Sequence, residues 1–268
     1  MTPLKGVEYG ICRVSLSPMR KTTDDKSEMV SQLLFGELVE IYQKKKKKWY
    51  KIISSHDDYL GWVDIKHILI ISEKEFNHLR SCHSFALDWV NPASSGDLSL
   101  PICAGSNLHS FDGLTFKSPL GRFQYSGQII DSEQIEVNSE LICKLSRQYL
   151  HAPYLWGGRS PFGIDCSGFT QVIFKMLGFE LPRDASEQVA LGEIVEFNAN
   201  TRIGDLAFFV NKENKIIHVG IIMEDDKIIH ASGWVREDTL DHFGIYNKET
   251  KKYTHVLRII KRLIPDLT

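Results

Sequence analysis

Residues 153–174 read PYLWGGRSPFGIDCSGFTQVIF. A loop containing Gly157, Gly158 and Gly163 runs into Asp165-Cys166-Ser167-Gly168. Beyond it Phe169, Val172, Ile173, Met176 and Leu177 fall on one face of a helix. Gly178 is placed to end that helix, so the spacing predicts a helix over 166–177 with Cys166 as its first residue. A thiol there faces unpaired backbone N–H groups and the positive end of the helix dipole, and both stabilise a thiolate. The glycines permit sharp turns and close approach of the backbone to a substrate. The competing reading, a buried structural cysteine, holds for Cys12, Cys82, Cys103 and Cys143. The five cysteines are odd in number and widely spaced, with no Cys-x-x-Cys, which predicts reduced thiols rather than a disulfide framework or a zinc site.

A catalytic thiol needs a base. Residues 205–210, 216–223 and 227–232 read as strands joined by short polar loops, hence as antiparallel hairpins. His218 shares a strand face with Ile216, Gly220 and Ile222, and His230 repeats the setting on the next strand. A buried imidazole requires a partner. The spacing suggests Cys166 facing the sheet, His218 as base and His230 orienting His218. Against it stands a pair of core histidines bonded to backbone carbonyls. A zinc site at Cys166, His218 and His230 has no closely spaced ligand pair to preorganise it. Gly157-Gly158 lacks the Gly-Lys-Ser/Thr continuation of a phosphate loop. With a further helix predicted over 137–150, helices precede strands across 136–268, which indicates an α+β domain.

The rest of the chain reads differently. Residues 1–72 carry strand-like segments at 7–14, 37–43, 49–53 and 61–63, with 15–29 as a long polar loop. The five lysines at 44–48 read as a hairpin tip. Residues 73–135 look like a second small β-unit, with a helical turn near 73, a loop over 91–97, and strands at 100–104, 114–117, 122–126 and 128–130. The chain's 268 residues fit two domains or three small ones at roughly 150 residues each. Its 32 basic and 34 acidic residues leave a net charge of −2, which argues against a nucleic-acid binder. Five lysines alone would bind a polyanion weakly and in a salt-dependent way. No apolar run reaches the roughly 18–20 residues needed to span a bilayer. The start of the chain lacks a signal-type apolar core, so a cytoplasmic protein is expected, the alternative being an exported one whose signal has been removed.

PYLWGGRSPFGIDCSGFTQVIF, followed by LPRDASEQ, IGDLAFF, HVGIIM and IIHASG, resembles the NlpC-type (NlpC/p-sixty) cell-wall cysteine peptidases. Five blocks in the family's order carry the resemblance, which covers residues 137–264. The resemblance implies a papain-like fold, and hydrolysis of amide bonds in peptidoglycan stem peptides between γ-D-Glu and a diamino acid. Cys166 matches the nucleophile, His218 the general base and His230 the residue that orients it. Tyr154 matches a tyrosine near the oxyanion, where the backbone N–H of Cys166 also donates. Asp165 and Ser167 match positions that line the groove. Asp184 matches a carboxylate beside the groove, its alternative being the N-cap of a short helix. Trp156 is assigned to core packing. Relatives often place Ser directly after Pro-Arg-Asp, whereas Ala185 intervenes here, which puts a hydroxyl contact at that position in doubt.

Residues 1–72, with SEMVSQLLFGE and YLGWV, resemble a bacterial Src-homology-3-type barrel, and 73–135 a second, degenerate one. The expected architecture is therefore one or two small all-β Src-homology-3-like barrels followed by a papain-like α+β catalytic domain over 136–268. This resembles the dipeptidyl-peptidase VI subgroup, which trims recycled wall peptides and in which the first barrel reads a free N-terminal L-Ala. An ammonium is recognised by carboxylates or a tyrosine hydroxyl, so Glu28 and Tyr59 join Asp184 as candidates. No metal or organic cofactor is expected. The alternatives are another amidase or an acyl transferase on the same fold, or a non-catalytic wall-binding protein. A Cys166–His218 ion pair would give a bell-shaped rate profile and rapid alkylation of Cys166 at pH 6.

Overall fold

The computed structural model describes residues 2–45, 47–196 and 201–265. Two compact units are present. Unit 1 holds residues 1–135, 156–161 and 175–180; unit 2 holds 136–155, 162–174 and 181–268.

Unit 1 opens with β1 (Thr2–Cys12), β2 (Leu16–Arg20), β3 (Met29–Leu34), β4 (Leu38–Lys45), β5 (Trp49–Ser54), β6 (Leu60–Asp64) and β7 (Ile68–Ile71). They pair antiparallel in the order β3-β2-β6-β5-β4-β1-β7. All seven contribute to one core, made of Cys12, Met19, Leu33, Val39, Ile41, Ile52, Val63 and Ile68. A sheet whose every strand feeds one core is curled around it as a small barrel. The lysine run joins β4 to β5, with Lys47 at φ 51° and Lys46 outside the described residues. Lys44 pairs with Glu8 at 2.8 Å and Lys48 with Asp25 at 2.5 Å. The stretch 15–29, predicted as one loop, contains β2, which pairs with β3 and β6 and buries Ser17 and Met19. With one of its two inward residues a serine, β2 carries too little hydrophobic alternation to be read as a strand.

After α1 (Glu73–Leu79), started by a Ser72–Glu75 capping box, come β8 (Ser84–Ala86), β9 (Val90–Ser95), β10 (Leu98–Cys103), β11 (Thr115–Ser118), β12 (Gly121–Tyr125) and β13 (Ile129–Asp131). The order is β10-β9-β12-β11, with β13 on β8. Residues 91–97, predicted as a loop, are mostly β9. Pro92 lies opposite Pro101, and the chain reverses at Gly96, whose φ is 57°. Two prolines placed where neither must donate to the ladder are compatible with a strand pair. The core of this half, including Ala93, Ile102, Phe116, Phe123 and Tyr125, also takes Phe35 from the turn between β3 and β4. Phe35 thereby ties both β-halves into one unit.

Unit 1 also contains β14 (Arg159–Ser160) and a buried charge cluster. Glu37 is 1% exposed. Its carboxylate accepts from Arg159 Nη1 and Nη2 at 2.8 and 3.0 Å, from Lys175 Nζ at 2.7 Å and from the Leu34 N–H at 2.9 Å. Burial opposes the charge, but Arg159 and Lys175 overcome it and hold the carboxyl well below its usual range. One carboxylate serves two cations. The deficit falls on Lys175, whose ammonium is pushed down by burial and by Arg159 despite Glu37.

Unit 2 contains α2 (Ser139–Arg147), β15 (Gly163–Ile164), α3 (Cys166–Met176, whose last two residues count with unit 1) and α4 (Ala185–Gln188). These are followed by β16 (Glu193–Val195), β17 (Leu206–Val210), β18 (Ile216–Ile222), β19 (Lys227–Ser232), β20 (Trp234–Asp241), β21 (Gly244–Asn247) and β22 (Lys252–Arg262). The antiparallel order is β16-β22-β17-β18-β19-β20-β21, and β21 also pairs with β22. Val195, Ala207, Phe209, Ile222, Ile228, Leu240, Ile245 and Ile260 form its core. Among the described residues no helix is long and apolar enough to cross a membrane.

Candidate active site

Cys166 is the first residue of α3 and is 7% exposed. The Gly168 N–H donates to Asp165 Oδ1 at 2.7 Å, so the residue before the cysteine caps the helix. Arg183 grips the same carboxylate through Nη1 at 2.9 Å and Nη2 at 2.6 Å, and Nη1 also donates to Ser167 Oγ at 2.9 Å. Asp165 and Ser167 were expected to line the groove. Both are as buried as Cys166 itself, and Asp165 has a local task, because an uncapped helix start needs an acceptor and a buried carboxylate needs a cation. A second brace joins the first turn of α3 to α4. Thr170 Oγ1 donates to Gln188 Oε1 at 2.8 Å, and Gln188 Nε2 donates to the Ser167 carbonyl at 3.1 Å and the Pro182 carbonyl at 2.9 Å. The thiol is thus carried on a turn fixed from two sides. Asp184 occupies the N-cap position of α4 but makes no side-chain cap bond.

Strands β18 and β19 bring two histidines together. His218 Nε2 lies 2.8 Å from His230 Nδ1, and His230 Nε2 lies 3.1 Å from Asp238 Oδ2. Arg236 Nε is 2.7 Å from that oxygen, and Arg236 Nη2 donates to Asp238 Oδ1 at 3.1 Å. Gly220 permits the approach of the strands, since a Cβ there would stand 2.9 Å from His230 Cβ and 2.8 Å from the Ile228 side chain. His255, on β22, stacks on His218 with centroids 4.2 Å apart and planes at 23°. Asp238, Arg236 and His255 were absent from the sequence candidates because β20 and β22 were not read as strands. A readable signal existed. Ser232 pairs with Trp234 across Gly233 and His230 with Arg236, which makes residue 238 a diagonal neighbour of His230.

The electrostatics depart from the expected thiolate. Burial, then Asp165, push the Cys166 thiol up to about 12, against the backbone N–H groups of Val219 and Ser167 and the Arg183 guanidinium. A helix dipole contributes at most about 2 kcal/mol, less than the desolvation of a thiolate at this site. Burial, then His230 and His255, push His218 well below its ordinary value. Burial thus favours the neutral form of both the Cys166 thiol and the His218 imidazole, against the ion pair expected from the sequence. The contact with the Val219 N–H sets the thiol against the residue that follows His218. Tyr154 is 36% exposed, and burial, then the nearby Cys166 and Asp165, push its phenol up to about 12.

The imidazoles of His218, His230 and His255 have ligand atoms within 4.8 Å of one another. Tetrahedral zinc needs lone pairs that converge on one point. The nearly parallel stack of His218 and His255 directs their in-plane lone pairs side by side instead, an arrangement better suited to handling protons.

In unit 1, Trp156 departs from its assignment to the core. It is 61% exposed, and its Nε1 donates to Glu28 Oε1 at 3.0 Å. Lys21 Nζ donates to Glu28 Oε2 at 2.9 Å, and Lys21 and Trp156 hold the Glu28 carboxyl below its usual value. Tyr59 packs against the barrel core. Gly157 has φ 77°, and a Cβ there would lie 2.4 Å from the Met29 carbonyl oxygen. This glycine answers to local packing.

The profile of the NlpC/P60 family matches residues 151–258, and that of the bacterial dipeptidyl-peptidase SH3 domain matches residues 19–68. The gamma-D-glutamyl-L-lysine dipeptidyl-peptidase of Bacillus subtilis is 31% identical over 225 residues, covering 75% of this chain and 71% of that protein. The protein of the same name from Bacillus cereus is 39% identical over 234 residues, covering 76% and 68%. The crystal structure of an NlpC/P60 family protein from Bacillus cereus aligns with a TM-score of 0.79 over 96% of this chain and 100% of that one, at 21% identity, which shows a common fold. With a helix-start cysteine and paired histidines on its sheet, the chain belongs to the NlpC/P60 family of peptidoglycan-hydrolysing cysteine peptidases and carries a dipeptidyl-peptidase type SH3 domain.

Proposed function

We propose that the chain cleaves the γ-D-Glu–diamino acid bond of peptidoglycan-derived peptides that carry a free N-terminal L-Ala. The carrying observation is the Cys166 thiol on the braced start of α3, against the backbone of the residue after His218, with His218 held by His230. The names of the two relatives support the substrate class.

In this reading His218 removes the Cys166 proton as Sγ bonds to the γ-carbonyl carbon of D-Glu. The oxygen takes up negative charge, faced by backbone N–H groups at the start of α3 and by Tyr154. Collapse breaks the C–N bond, and the His218 imidazolium gives its proton to the leaving amine. Water then gives a proton to His218 and its oxygen to the thioester carbon. The acid leaves, and the proton returns to Sγ. Asp184, Glu28 and Tyr59 are proposed, on the resemblance, to read the substrate ammonium. At Glu28 that ammonium would replace Lys21.

A neutral pair and an ion pair share one proton between the same two groups, so either gives a bell-shaped kcat/KM profile. Alkylation separates them because only thiolate reacts. With the thiol pushed up to about 12, iodoacetamide labelling of Cys166 is slow at pH 6 and climbs about tenfold per pH unit towards pH 9. A rate already level between pH 6 and 8 would show an ion pair in the free enzyme.

The substrate is tested with L-Ala-γ-D-Glu-meso-diaminopimelate, its L-Lys counterpart and their N-acetylated twins, followed by mass spectrometry. The free-amine peptides release L-Ala-D-Glu, and acetylation costs roughly 10–100-fold in kcat/KM, the scale of one charged hydrogen bond. Equal cleavage of both forms removes the amine requirement; cleavage of none removes the substrate. A Glu28→Gln variant with unchanged KM for the free-amine peptide removes Glu28 from the assignment.

A further inference from the structure

We propose that Asp238, anchored by Arg236, sets the tautomers of His230 and His218 and so decides which His218 nitrogen is available as a base. Asp238 acts through His230, as a positioning residue. The proposal rests on reading His218 as the base for Cys166.

The assignment follows from counting protons. Asp238 is an acceptor only, held ionised by an Arg236 guanidinium that faces both its oxygens. Its Oδ2 stands 3.1 Å from His230 Nε2, so that nitrogen carries the proton. A neutral imidazole has one N–H, and His230 Nδ1 is therefore a lone pair. It lies 2.8 Å from His218 Nε2, which must donate to it. The single proton of His218 is then on Nε2, and Nδ1 is left bare to take a proton. Each assignment forces the next, and the carboxylate is the fixed end of the chain. Without it the two histidines can exchange donor and acceptor roles, and in the reversed order His218 Nδ1 already bears a proton and cannot act as base.

The Asp238→Asn variant reverses the order. Its amide oxygen keeps the hydrogen bond from Arg236 Nη2, and its NH2 group, which displaces Arg236 Nε from the Oδ2 position, faces His230 Nε2 and donates to it. His230 then carries its proton on Nδ1 and gives that bond to His218 Nε2, which moves the His218 proton to Nδ1. The expected result is a kcat lower by roughly 100-fold, between the effect of a remote orienting partner and that of an Asp→Asn change in direct contact with a catalytic histidine. KM stays near wild type, Tm falls because Arg236 loses its charged partner, and Asp238→Glu recovers most of kcat.

The deciding readout is the long-range 1H–15N spectrum of the imidazoles in Cys166→Ala protein, with signals assigned from single His→Gln variants. It needs no turnover, so a wrong substrate leaves it intact. His218 and His230 protonated on Nε2, both switching to Nδ1 in the Asp238→Asn background, support the proposal. His230 protonated on Nδ1 with Asp238 in place overturns it, and that measurement stands even where the variant fails to fold. Loss of kcat with unchanged tautomers overturns it as well, leaving Asp238 a structural role. A tautomer switch with kcat intact refutes the link to the base.

Discussion

Cys166→Ala is expected to lower kcat/KM for the free-amine peptide by roughly a million-fold, the scale on which loss of a nucleophile acts in hydrolases. The change removes one sulfur from the first turn of α3 and leaves the bonds of Asp165, Arg183, Thr170 and Gln188 in place. Stability should therefore shift by no more than about 1 kcal/mol. Unchanged Tm beside lost turnover separates chemistry from folding. His218→Ala should fall on a similar scale, and the double variant should be no worse than either single one, because a nucleophile and its base act as one device. Activity above one per cent in Cys166→Ala would remove the assignment. Additive losses would show two independent contributions.

What could be read from the sequence was local. The start of α3, its apolar stripe and its end at Gly178 depend on residues within a few turns of one another. The same holds for β17, β18 and β19, whose apolar runs and short loops already bring His218 beside His230. What escaped was of two kinds. Strands β20 and β22 carry Asp238, Arg236 and His255, but charged residues interrupt their apolar ones, as in WVREDTLD and HVLRIIKR, and mask the pattern that marks a strand. Charge pairs between distant segments have no local mark at all. Arg183 meets Asp165 across 18 residues and Arg159 meets Glu37 across 122. That pairing gives Asp165 a cation and Ser167 a donor that no local pattern announces. The sign of the Cys166 shift belongs here too. The helix start that favours a thiolate lies within four residues, while the burial that disfavours it is set by tertiary packing.

The Glu37 cluster carries the largest expected effect on stability. Glu37→Ala leaves Arg159 and Lys175 buried side by side without the carboxylate between them. Removing one partner of a buried ion pair costs about 3–5 kcal/mol, against a total of about 5–15 kcal/mol for a domain. The expected fall in Tm is roughly 6–20 °C. Lys175→Met should behave differently. It leaves Glu37 and Arg159 matched one to one and takes only a donor from the Gly105 carbonyl, so its cost should stay at about 2 kcal/mol. In the double variant Met removes one of the two stranded cations, and part of the Glu37→Ala loss should return. The pH dependence has a definite sign. The folded carboxyl sits below its unfolded value near 4.5, so its stabilisation is complete above that pH and fades as pH falls towards the folded value. The gap between wild type and Glu37→Ala, measured by urea unfolding at pH 7 and pH 3, should therefore narrow in acid. A constant gap would mean that Glu37 acts through shape rather than charge. A Lys175→Met loss as large as that of Glu37→Ala would mean that the second cation is needed, rather than carried in excess.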